Sequence, residues 1–132
     1  MKIETTILKN LLQNEDYARK VLPFLNDEYF TENSDKIVFN QINNFILKYN
    51  SLPNKEALNI ELGDAKITEE DFKDSVNLIT EISKDVQEFA DLSWLLDSTE
   101  KFCQDKAIYN AVVESISILD NPKSTADKGA IP

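Results

Sequence analysis

No histidine occurs in the chain, and cysteine occurs once, at Cys103. Without imidazole there is no Ser-His or Cys-His nucleophile pair and no histidine metal site. A lone cysteine excludes an internal disulfide and a CxxC zinc or redox site. Arginine is nearly missing too: the 14 basic residues include only Arg19, against 24 acidic ones, for a formal charge of −10. Nucleic-acid backbones are gripped by cations, so a basic groove is not expected, and neither is docking on an anionic membrane. Only two glycines and four prolines punctuate 132 residues, too few for a strand-rich fold with frequent tight turns. No glycine is followed by the Gly-Lys-Ser/Thr of a phosphate-binding loop, and no stretch has EF-hand ligand spacing. The N-terminus lacks the pattern of a signal peptide, and no apolar run approaches the ~18 residues of a membrane span.

What remains is helical periodicity, and it predicts an all-α fold of about five short helices and one long C-terminal helix. Ile3, Ile7, Leu8, Leu11 and Leu12 share one helix face, which Asn14 can end. Asp16 to Leu22 is a second helix, stopped or bent by Pro23. Val38, Ile42, Phe45, Ile46 and Tyr49 form the stripe of a third, with Asn33, Ser34 or Asp35 as its N-cap. Pro53 closes its exit. Asn54 can cap a fourth helix that turns Ala57, Leu58 and Leu62 inward and stops at Gly63. Thr68 and Asp71 form a capping-box pair that opens a fifth helix bearing Phe72, Val76, Ile79 and Ile82.

The sixth helix, from about Asp91 to Asp120, is apolar in a nearly unbroken seam. At ~1.5 Å per residue its thirty residues span roughly 45 Å, longer than a domain of this size is wide. Such a helix must project, or pair with something outside its own globule. From Asn121 to Pro132 the periodicity stops and the composition is that of a linker. Two units are expected: a helical domain over 1–120, and a linker or hairpin turn over 121–132 that leads into an absent C-terminal part.

Candidate chemistry is sparse. Cys103 lies on the apolar side of the long helix and is expected to pack as a small hydrophobe. The span Asp64–Asp91 carries nine acids against three lysines. It is expected to be a solvated helix face, with a basic partner or imitation of DNA's charge as the functional alternative. Glu69-Glu70-Asp71, and Glu28 with Glu32, could do acid–base work only across a cleft, and their positions suit helix starts and outer faces. Tyr17, Phe24, Tyr29, Phe30 and Phe39 are expected in the core rather than on a base-stacking platform. Trp94 is expected either to anchor the long helix or to stand at an interface.

The order of these pieces carries a resemblance. Asp27-Glu28-Tyr29-Phe30 precedes a helix with Val38-Phe39 near its start, followed by Phe45-Ile46-Leu47 and a Leu52-Pro53 turn. A short helix with Leu58 and Leu62 comes next, then an acidic helix, then the long one with Glu100 to Ala111. This sequence resembles the N-terminal domain of the DnaB-like replicative DNA helicases, and in particular their T-even-type phage branch. Tyr17 to Phe30, Ser93-Trp94-Leu95 and Lys128-Gly129-Ala130-Ile131-Pro132 add to the likeness. Bacterial members commonly carry His where Asp35 stands and Arg where Lys106 stands. Their glycine pair before the long helix gives way here to the helix opening at Thr68.

The resemblance implies a non-catalytic collar domain that orders a hexameric ring and docks primase, and in some members a helicase loader. It implies no cofactor for this chain, with ATP and Mg belonging only to the absent motor domain, and cytoplasmic work inside a host cell. Direct nucleic-acid binding and membrane binding are not expected. No catalytic, cofactor-binding or metal residue is transferred. The candidate interface is Trp94, Phe102, Tyr109, Val112, Val113, Ile116 and Leu119. A small acidic helical phage inhibitor that imitates DNA is the alternative. A small enzyme would need two carboxylates facing each other across a cleft.

Overall fold

In the computed structural model the described residues are 2–85 and 90–120, with side chains described as far as 118. They form six α-helices: α1 (Ile3–Gln13), α2 (Glu15–Val21), α3 (Asn33–Tyr49), α4 (Lys55–Gly63), α5 (Glu69–Ile82) and α6 (Leu92–Asp120). Two 3-10 turns, Leu22–Phe24 and Asp27–Tyr29, join α2 to α3. No strand occurs among the described residues.

Local chemistry sets most of the boundaries. Asn14, in extended backbone, closes α1 with its own N–H on the Asn10 carbonyl, while its side chain accepts from the Tyr17 N–H and starts α2. Pro23 sits in the first 3-10 turn, where its missing N–H costs nothing. The Asn54 side chain accepts from the Ala57 N–H at the head of α4, and Thr68 accepts from Asp71 at the head of α5. Three acids, Glu69, Glu70 and Asp71, then occupy the first turn of α5, at the positive end of its dipole. α3 ends on Asn50 at φ 53°, a left-handed residue that Asn tolerates. Arg19 reaches across from α2 to donate to both the Asn50 side chain and its carbonyl, at 3.2 Å each. Gly63 is the last residue of α4 and not a left-handed stop, and a Cβ there would meet nothing.

The globule is a layered packing of α1, α3, α4 and α5, with α2 laid across α1. Ile7, Leu8 and Leu11 of α1, Val38 and Ile42 of α3, Leu58 and Leu62 of α4, and Ile79 and Ile82 of α5 share one core cluster, all fully buried. Gln13 extends the α1–α5 contact by donating to the carbonyls of Ile82 and Lys84 at 2.7 and 2.8 Å, so it caps the end of α5. The sequence placed Phe24 and Tyr29 with the core, and Tyr49 and Phe72 on the apolar stripes of the third and fifth helices. Tyr49, Phe72 and Phe24 are instead exposed and Tyr29 is only partly buried, whereas Phe30 packs centrally, 5.3 Å from the Phe39 ring and 5.7 Å from Phe102.

One buried polar pair fastens α6 to this body. Tyr17 Oη and Thr99 Oγ1 lie 2.6 Å apart, both without solvent exposure. Burial pushes the Tyr17 phenol up to about 12, although the Thr99 hydrogen bond pulls it the other way. Tyr17→Phe would leave the Thr99 hydroxyl without a partner and is expected to cost ~1–3 kcal/mol. Adding Thr99→Val should recover part of that loss. Urea unfolding of the two single variants and the double variant gives the coupling energy. Strict additivity would refute the link.

Asp35 is the residue that departs furthest from its expected role. The sequence offered Asn33, Ser34 or Asp35 as the cap of α3, but the N-cap is Glu32 and no side chain caps it. Asp35 is turned inward and only 4% exposed, and its Oδ2 has no hydrogen-bond partner. Burial raises its pKa above the usual 3.8; Lys2 opposes the rise, and Glu4 and Glu32 add to it. A carboxyl with a raised folded-state pKa contributes most stability below its unfolded pKa, and that contribution is lost as pH rises through the folded value. Asp35→Asn should therefore gain on the parent as pH is raised from near 3.8 to neutral. Urea midpoints at the two pH values measure this, and a constant difference would show that Asp35 is not the group responsible.

Candidate functional site

α6 begins as a core helix. The Asp91 carboxylate accepts from the Trp94 N–H at 3.3 Å, which starts the helix. Leu95, Phe102 and Cys103 are buried, and Leu92 and Leu96 pack partly against them. The helix meets the globule chiefly through α2 and the Asp27–Tyr29 turn. Asn110 donates to the Glu28 carbonyl of that turn at 3.1 Å. From Ala111 to Ile118 every residue is exposed.

The exposed part is not polar. Ile108 is 64% exposed and Tyr109 63%, while Val112, Val113 and Ile116 are 45–52% exposed. At about 100° per residue, Ile108, Val112 and Ile116 point about 180° away from Leu92, Leu96 and Cys103. Ile108, Val112 and Ile116 thus form an outer stripe on the side opposite Leu92, Leu96 and Cys103, while Tyr109 and Val113 continue the line of buried Leu95 and Phe102 into the exposed part of the helix. Along 29 residues the helix is roughly 43 Å long.

Of the expected interface residues, Tyr109, Val112, Val113 and Ile116 lie together on the free part of α6. The Leu119 side chain and residues 121–132 lie outside the described residues. Phe102 is placed in the core, 7% exposed, with its ring 5.7 Å from Phe30, whereas Tyr109, seven residues on along the same side of the helix, is 63% exposed. Trp94 is exposed on the outer side, but ~27 Å of helix separates it from Val112, and the Lys101–Asp105 ion pair lies between them. Ile108 is the free residue that the sequence-based selection omitted. Its i, i+4, i+8 spacing with Val112 and Ile116 was the signal that marks it. Lys106 sits with its ammonium 5.9 Å from the centroids of both Phe102 and Tyr109, bridging the inner and outer parts of the helix.

Other chemistry is thin among the described residues. No group of three or more acidic or cysteine side chains is placed to hold a metal. Burial pushes the Cys103 thiol up to about 11, so it is far from a thiolate. No described helix is long and apolar enough to cross a membrane.

The described residues thus define an all-α domain whose last helix carries exposed apolar side chains over residues 108–116. No protein-family model matches the chain. It is, however, 33% identical over 134 aligned positions, 96% of its length, to the DnaB-like replicative helicase of Enterobacteria phage T4. The similarity covers one part of that helicase, 28% of its length.

Proposed function

We propose that this chain is the N-terminal collar domain of a phage replicative DNA helicase, non-catalytic itself, which helps assemble the parent into a hexameric ring and docks primase or a helicase loader. The observation that carries the reading is the outer stripe of α6, an apolar surface that the chain's own globule faces away from. The similarity to one part of a DnaB-like helicase supplies the biological setting. In this reading residues 1–120 are the collar and 121–132 lead toward a motor domain that holds ATP and Mg and moves on DNA. The work takes place in the cytoplasm of the host. The charge of −10 favours protein partners over phosphate backbones.

Calorimetric titration of the chain with the primase of the same phage tests the docking part. Saturable binding to primase, with no binding to single-stranded DNA under the same conditions, is expected. Tight binding to DNA, or silence toward both primase and loader, would refute it.

A further inference from the structure

A second surface lies on a different side of α6. Where the helix leaves the globule it does not close against the preceding turns, and a cavity of about 470 Å³ remains between them. Cys103 and Ala107, both small, line it from α6, and the rings of Phe24 and Tyr29 line it from the opposite side. Glu100 and Gln104 stand at its edge. At about 100° per residue, Cys103, Ala107 and Glu114 fall along one line of the helix, well away from Ile108, Val112 and Ile116. The notch is therefore separate from the outer stripe.

Its charge has one sign. Glu100 and Glu114 are exposed. Glu28 is exposed as well, and its carbonyl accepts from Asn110, which sets it beside α6 just past Ala107. The lysine of this turn, Lys106, is occupied with the Phe102 and Tyr109 rings.

We propose that this notch is a docking groove for a basic amphipathic segment of another protein. One bulky apolar side chain of that segment enters between Ala107 and the rings of Phe24 and Tyr29, and its lysines or arginines meet Glu28, Glu100 and Glu114. The volume falls within the ~300–1,000 Å³ usual for ligand sites, enough for an aromatic anchor, the residue type that dominates such contacts. A second copy of this chain is a poor occupant, because its charge of −10 would meet the same sign at the rim. Nucleic acid is repelled for the same reason. The inference does not depend on the helicase reading, since it follows from the shape and charge of the notch alone.

The test uses a lysine-rich amphipathic helical peptide with one tryptophan on its apolar face, titrated into the isotope-labelled chain and followed by amide chemical shifts. Saturable shifts centred on Tyr29, Cys103, Gln104 and Ala107 are expected. Glu100→Lys, Ala107→Trp, and replacement of the peptide's tryptophan by alanine should each weaken binding about tenfold. Ile116→Asp should leave it unchanged. Glu100 and Ala107 are exposed, so both variants are expected to fold, and their helical circular dichroism verifies it. Shifts centred on Ile108 to Ile116, equal affinity for the tryptophan-free peptide, or no saturable shift would overturn the proposal.

Discussion

Leu95→Ala is expected to cost about 2–5 kcal/mol of folding stability, whereas Val112→Ala, further along the same helix, should stay within about 0.5 kcal/mol of the parent. Leu95 is completely buried under the base of α6. Truncating it opens a cavity where the helix meets the globule, and small domains have only ~5–15 kcal/mol in total. Val112 is 51% exposed, so its truncation removes little that is out of water and replaces a β-branched residue with a better helix former. Urea unfolding followed by helical ellipticity compares the two through their midpoints. Similar losses for both would mean that the outer stripe is covered within the monomer, contrary to the fold described above.

The second large effect is on assembly. Val112→Asp combined with Ile116→Asp should leave the folding of the isolated chain nearly unchanged, because both positions are exposed. In the hexameric helicase proposed above as the parent, each substitution is expected to cost about 2 kcal/mol or more of association energy, roughly thirtyfold in dissociation constant, if these side chains anchor the subunit contact. A carboxylate buried at such a contact has no partner and keeps its desolvation cost. Sedimentation velocity of the parent over a range of concentrations reads this as a shift toward smaller species. An unchanged mass distribution would move the assembly contact elsewhere.

Where a structural decision is made by neighbours in the chain, the sequence was sufficient. Asn54 and Thr68, both legible as caps, each accept from a backbone N–H three residues on, and that chemistry is local. Asp35 shows the limit. Its side chain has the right chemistry for a cap, but α1 packs across α3 and the carboxyl is buried instead, which no local pattern announces. Phe24 and Tyr29 failed for a similar reason. Counting them as aromatics placed them in the core, but their exposure depends on how α6 diverges from the 3-10 turns beside it.

The long helix was legible in a more instructive way. Its length and its excess of apolar residues marked it as projecting. Ile108 belonged to that seam, but the interface selected from it grouped Phe102 with Tyr109 and Val112 and left Ile108 out. Turning the residues through about 100° each sets Ile108, Val112 and Ile116 opposite Leu92, Leu96 and Cys103. Phe102 and Tyr109 share a side and are parted by where the globule ends along the helix, so only the Ile108 stripe was present in the spacing. The notch was not, because it combines residues from α6 with others some eighty positions earlier.

The most direct test of the central claim is amide hydrogen exchange across residues 108–118, measured in the isolated chain and in the assembled parent protein. If the outer stripe of α6 is covered by another subunit, protection of these amides should rise on assembly, while α1, α3 and α5 change little. Equal protection in the two samples, or a rise confined to α3 and α5, would contradict the account.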